Sequence, residues 1–220
     1  MDLIETILWE KGRFFLLKLH IERLARSACH FSFPCDADAV VKSLEKAAMP
    51  LDKHKKYRVR VLLEKSGKSG ITVNPLDTFG TPPLKTAISE KKTDTHNDFL
   101  YHKTTERRLY DDALKKCRAA GLFDVIFTNQ NNEITEGAVT NVMIRKNGAY
   151  WTPPICCGLL AGVYRQYLLA SVPGTEGTPL KEKILYPSDL HTADAIFMIN
   201  SVRKIVPVRL VSYPPQDAPQ

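Results

Sequence analysis

Apolar residues recur with a period of two in some stretches and of about 3.6 in others, and the switches between the two divide the chain into elements. Residues 3–9 and 13–18 read as two strands around a turn at Lys11-Gly12. Ile21, Leu24, Ala25, Ala28 and Phe31 then fall at helical spacing, which predicts an amphipathic helix over 19–31, stopped by Pro34. Asp36 is the expected N-cap of a second helix, 37–48, with Val40, Val41, Leu44 and Ala48 on its apolar face. Residues 57–64 alternate as a strand, 65–70 form a turn, and 71–74 and 84–89 are further strands. Together these predict a small α/β N-terminal domain over 1–92.

The polar stretch from Glu90 to Asn97 reads as a linker, followed by a larger α/β C-terminal domain over 98–220. That domain opens with a helix, 105–120, which turns Leu109, Ala113, Cys117 and Ala120 inward and stops at Gly121. Strands are expected at 123–128, 133–136 and 140–145, with an Asn-rich turn at 129–132. Asn147-Gly148 is a type I′ hairpin signal leading into a strand at 149–152. Gly162 opens a helix over about 163–172, strands at 194–199 and 205–211 close the fold, and the tail from Pro214 reads as frayed.

Composition narrows the class. The 220 residues are 44% hydrophobic and 25% charged, ordinary for a globular protein with its own core. No apolar run approaches the ~20 residues of a membrane helix, and Met1–Glu5 has neither a basic nor an apolar leader region, so a cytoplasmic protein without a membrane partner is expected. Five cysteines without a Cys-x-x-Cys suggest reduced thiols, with Cys156 and Cys157 read as buried small side chains. Six histidines without ligand spacing argue against a metal. The net charge of +7 favours anionic partners, but the basic residues are dispersed. A small anionic substrate is therefore expected before nucleic acid.

Five segments carry candidate chemistry: His20-Ile21-Glu22-Arg23-Leu24; the run 101–108 around His102-Lys103-Thr104-Thr105; Glu136-Gly137 to Asn141; Gly158 to Arg165; and Asn200-Ser201-Val202-Arg203 ahead of Pro207-Val208. Singly, each has a plain structural reading as a helix charge, a turn residue or a strand-end cap. In this order, over nearly the whole chain, they resemble the class IV aminotransferase family. The resemblance implies a two-domain α+β / α/β architecture, the fold type IV or D-amino-acid aminotransferase-like fold, with pyridoxal 5′-phosphate as cofactor. Lys103 would then bond the cofactor and move the substrate proton. Glu136 would face the pyridine nitrogen, and Asn141 would orient that region or serve as a strand-edge amide. Arg23, the backbone N–H groups of Val163 and Tyr164, the Ser201 hydroxyl and the Val202 N–H would bind the phosphate.

Within the family the chain is most similar to the 4-amino-4-deoxychorismate lyases, on Leu3-Ile4-Glu5-Thr6, on His102-Lys103-Thr104-Thr105-Glu106-Arg107 and on its short start. That likeness implies release of pyruvate and 4-aminobenzoate, a folate precursor. Thr6 would be a catalytic proton relay, or simply a β-branched strand residue. Arg107 and Arg203 are candidates for substrate carboxylates, or ordinary surface charges. A homodimer is implied. Two positions depart from the family pattern, Lys204 where glycine is usual and Ala161 where proline is common. The alternatives are a transaminase for D- or branched-chain amino acids and, from a different class, a non-enzymatic basic binding module.

Overall fold

A computed structural model of the chain describes residues 1–78, 80–170 and 178–212, which divide into two compact units. The first comprises Met1–Thr78 and the short segment His102–Glu106. Its sheet holds β1 (Leu3–Glu10), β2 (Arg13–Phe14), β3 (Tyr57–Leu63) and β4 (Ser69–Pro75), all antiparallel, in the order β2-β1-β3-β4. Two helices, α1 (Leu17–His30) and α2 (Ala37–Ala48), contribute to one core with the sheet. The strand period places Leu3, Ile7 and Trp9 of β1 in that core with Leu24 and Ala28 of α1 and Val40 and Leu44 of α2. Asp36 caps α2 by accepting the Ala39 N–H at 2.9 Å.

The 102–106 segment extends this sheet. Ile4 N–H donates to the Lys103 carbonyl at 2.8 Å and Thr105 N–H to the Asp2 carbonyl at 2.9 Å, and Leu3 pairs with Thr104. Asp2 N–H also donates to Thr105 Oγ1 at 2.9 Å. The backbone of Lys103 is thereby fixed against the start of β1.

The second unit comprises Phe79–Tyr101 and Arg107–Gln220. It contains β5 (Leu84–Ile88), α3 (Arg108–Ala119), β6 (Asp124–Thr128), β7 (Ile134–Gly137), β8 (Asn141–Lys146), β9 (Ala149–Thr152), α4 (Val163–Ala170), β10 (Leu180–Glu182), α5 (Pro187–His191), β11 (Ala195–Asn200) and β12 (Lys204–Leu210). The eight strands run β10-β9-β8-β11-β12-β5-β6-β7, and an added β7–β8 pairing closes six of them into a ring. That closure is made at one register pair, Glu136 opposite Asn141. Ile126, Val142, Ile144, Met198 and Val206 fill one core of this unit, and the inner face of α3 lies in another with Val125 and Phe127.

Several expectations change. The strand predicted at 84–89 does not end the first domain: β5 pairs in parallel with β6 and β12, so the first unit stops at Thr78 rather than 92. Its partners lie far along the chain, where local periodicity cannot reveal them. The strand at 13–18 shrinks to Arg13–Phe14 because Leu16 turns to φ +54° and α1 starts at Leu17. The helix expected from 105 starts at Arg108, since 102–106 is held extended by β1. Cys156 is exposed while Cys157 is buried. They sit in the 3₁₀ turn Ile155–Cys157, where adjacent residues face different sides. The β10 strand and α5 were not anticipated. Residues 171–172 of the predicted helix and the tail from Pro214 lie outside the described residues. Asn147-Gly148 does adopt the expected turn, with φ of +52° and +74°.

The turn that joins β7 to β8 depends on buried Asp124. Its carboxylate accepts the N–H groups of Val125 (2.9 Å), Ala138 (2.9 Å) and Val139 (3.2 Å) and the Thr140 hydroxyl (2.8 Å). Burial pushes this carboxyl up, and the four donors oppose that push. We predict that Asp124→Ala, which orphans two buried amides and one half-buried amide, lowers unfolding stability by at least about 2 kcal/mol. Urea denaturation of wild type and variant, compared at matched slope, measures this.

Candidate active site

In the first unit the candidate residues meet beneath β1. Glu5 shares a face with Leu3, Ile7 and Trp9, so the pleat turns a carboxylate toward the helices and leaves it 1% exposed. The α1 helix offers His20, Arg23, Leu24, Ser27 and Ala28 as one buried stripe at helical spacing. Arg23 donates from Nε to Glu5 Oε1 at 2.8 Å and from Nη2 to Oε2 at 2.7 Å. His20 Nδ1 lies 2.6 Å from the same Oε2. Burial alone would raise the Glu5 pKa, but the charges and hydrogen bonds of Arg23 and His20 bring it down to about 2. Burial pushes His20 below its ordinary value against the pull of Glu5, and the charges of Arg23 and Lys103 add to that push. One turn further along the stripe, Ser27 Oγ lies 3.0 Å from Nδ1 of His102, the neighbour of Lys103, whose ring stacks on His30 at 4.2 Å.

Thr6 occupies the opposite face of β1. It pairs directly with Arg60 of β3, and Leu8 pairs with Arg58; both arginines are exposed. Neither arginine was singled out from the sequence. The signal was the alternation in Tyr57–Leu63, which puts both on the Thr6 face.

In the second unit Glu136 is 7% exposed and fixed from several sides. Tyr110 OH donates to its Oε1 at 2.8 Å, and Leu160 N–H donates to Oε2 at 3.2 Å. Asn141 Nδ2 donates to the Leu160 carbonyl at 3.0 Å, with a longer contact of 3.5 Å to Glu136 Oε2. Burial raises the Tyr110 pKa, and the Glu136 charge raises it further, so the phenol stays a donor. A β-carbon on Gly162 would meet Asn141 Oδ1 at 1.9 Å, so only glycine lets the start of α4 approach this amide. Val163 and Tyr164 begin α4, where helix geometry leaves N–H groups without intrahelical acceptors.

The β11–β12 turn is organised by Asn200. Its Oδ1 accepts the N–H groups of Val202 (3.0 Å) and Arg203 (2.7 Å), and its Nδ2 donates to the Val139 carbonyl at 3.2 Å. The Val202 amide expected to bind phosphate therefore already has an acceptor, whereas Ser201 is buried within the turn. Lys204 has φ +60°, which accounts for glycine being usual at this place in the pattern. Arg107 spends Nε on Asp111 at 2.7 Å and Nη2 on the Ala138 carbonyl at 2.7 Å. These two donors tie α3 to the β7–β8 turn. Tyr110 and Asp124 were missed as supports, as was the hold of Asn200 on Val139, because these contacts cross long sequence separations.

A family model described as Amino-transferase class IV matches residues 2–211. A protein of Schizosaccharomyces pombe named "Putative aminodeoxychorismate lyase" is 26% identical over 97% of this chain and 91% of its own length. A crystal structure from Mesorhizobium loti, described as a "Putative amino-acid aminotransferase", has a TM-score of 0.86 and 32% identity, and the match covers 96% of this chain and 99% of that one. A hypothetical aminotransferase from Mycobacterium tuberculosis in its PLP-bound form shares the fold, with a TM-score of 0.81 at 21% identity over 95% of this chain and 81% of that one.

The depressed Glu5 carboxyl makes stability depend on acidity. Its contribution, on the order of 3 kcal/mol, is complete above its ordinary value of 4.5 and is lost as pH falls toward about 2. Denaturation series from pH 6 to pH 2 are expected to show this loss in wild type and a flatter profile in Glu5→Gln, over about the same span.

Proposed function

The chain belongs to the class IV aminotransferase family, and we propose that within it the protein is a lyase, cleaving 4-amino-4-deoxychorismate to 4-aminobenzoate and pyruvate. The family's cofactor is pyridoxal 5′-phosphate. The residues present fit that group. They include a lysine fixed by the edge of β1, an arginine aligned by a buried carboxylate, and a second carboxylate held by a phenol and a backbone amide. A buried imidazole nitrogen, His20 Nε2, also has no hydrogen-bond partner among the described residues.

In this reading Lys103 holds the cofactor, Glu136 keeps a proton on its pyridine nitrogen with Asn141 as support, and Arg23, Ser201 and the first amides of α4 bind its phosphate. When bound, the cofactor supplies an electron sink next to the substrate nitrogen. Lys103 Nζ removes the proton from the carbon that bears this nitrogen. The enolpyruvyl group leaves, taking a proton delivered by Thr6 to become pyruvate, and the ring gains aromaticity.

The observation that carries the lyase reading is the placement of Thr6 opposite Arg60 on one face of an antiparallel pair. Directly opposed side chains on such a pair start about 5 Å apart, close enough for a hydroxyl and a guanidinium to address one small anion. The leaving group is such an anion. Arg60 would hold its carboxylate while Thr6 supplies the proton, and Arg203 remains a candidate for the ring carboxylate. The second reading, a transaminase for amino acids, is favoured by the likeness to the Mesorhizobium loti protein. A cytoplasmic homodimer accompanies either reading.

One preparation given both kinds of substrate separates the two. Release of 4-aminobenzoate and pyruvate, with little amino transfer to 2-oxo acids, is the expected outcome; efficient transfer without 4-aminobenzoate would overturn the lyase assignment. Borohydride reduction is expected to tag Lys103, and Lys103→Ala to lose the visible absorbance of the bound cofactor. Glu136→Gln is expected to retain cofactor yet turn over about 10²–10³-fold more slowly, a loss typical of one preorganised electrostatic partner. Steady-state rates at saturating cofactor read this directly.

A further inference from the structure

We propose that His20 is a positioning residue for the phosphate end of the cofactor, acting through Glu5 on the guanidinium of Arg23. The proposal rests on the reading of Arg23 as a phosphate anchor.

Glu5, His20 and Arg23 are 1%, 0% and 7% exposed, so their contacts form in a medium with little water to rearrange them. The Glu5 carboxylate is ionised and can only accept, so the 2.6 Å contact requires the His20 proton on Nδ1. Arg23 meets the same carboxylate along its Nε–Nη2 edge. Glu5 Oε2 therefore receives both the imidazole and the guanidinium. Those two donors come from positions 20 and 23 of α1, one turn apart, and they grip one carboxylate on β1. The arrangement fixes which edge of Arg23 meets Glu5.

The other nitrogen argues that this is more than filling. His20 Nε2 is buried with no hydrogen-bond partner among the described residues. Leaving such an atom unsatisfied destabilises the fold, a cost that an apolar side chain of the same size would avoid. What histidine adds at this place is the Nδ1–H toward Glu5. Its charge state suits the task, because a neutral imidazole donates that proton without adding a third cation to Arg23 and Lys103.

The test compares the affinity of the cofactor-free protein for pyridoxal phosphate with its affinity for pyridoxal, by titration calorimetry. General damage to the site weakens both ligands, whereas loss of the phosphate anchor weakens only the first. His20→Asn keeps an N–H near the Nδ1 position, and His20→Gln moves the amide to the Nε2 position. We expect the affinity ratio to fall about tenfold or more in Arg23→Gln and in His20→Gln, and to survive in His20→Asn. If His20→Gln loses cooperative melting, His20→Phe, which fills the volume without a donor, takes its place with the same expectation. A ratio unchanged in His20→Gln or His20→Phe but reduced in Arg23→Gln overturns the role of His20 and leaves the Arg23 reading intact. A ratio unchanged in Arg23→Gln overturns both.

Discussion

The buried carboxylate of Asp124 is the constraint on which the second unit turns. A charge with no access to water must be met by donors, and here four come from Val125 and the consecutive residues 138–140. Meeting that demand bends the chain tightly between β7 and β8. The bend is so close that a β-carbon on Gly137 would lie 2.5 Å from the Asp124 carboxylate. The bend in turn sets Glu136 opposite Asn141, the single register pair that closes the strand ring. Arg107 and Asn200 then hold the carbonyls of Ala138 and Val139 from α3 and β11. The candidate partner of the pyridine nitrogen thus sits at the seam of the ring, and its position follows from packing the seam.

The first unit solves a similar problem with opposite charges. A strand that is otherwise apolar on its inner face carries Glu5 into the core, and the α1 stripe supplies Arg23 and His20 in register. Replacing such a cluster with apolar residues is often neutral or stabilising in other proteins. In this core the cluster ties β1 to α1 through three contacts on one carboxylate.

Local chemistry in the sequence foretold some elements closely. Asp36 marked the start of α2, Asn147-Gly148 marked the hairpin, and the 3.6-residue spacing of Leu109, Ala113 and Cys117 marked the buried side of α3. The motifs that contain Lys103 and Glu136 were legible because they are short and contiguous. The supports were not legible. Tyr110 reaches Glu136 across 26 residues and Asn200 reaches Val139 across 61, and nothing in a local pattern encodes either contact. The misplacement of β5 has the same cause. Arg107 shows how a charge within a motif can also hold the motif in shape.

The pairing of 102–106 with β1 bears on how the chain is made. Neither unit is a continuous stretch, and the first lacks part of its sheet until residue 106 has left the ribosome. Until then the amide of Ile4 and the carbonyl of Asp2 lie on an open strand edge, the kind that recruits a neighbouring chain. The segment that covers this edge is the one that carries Lys103. Nascent chains stalled before it would expose the edge, so the residues around Lys103 arrive as the segment that ends the vulnerable phase of synthesis.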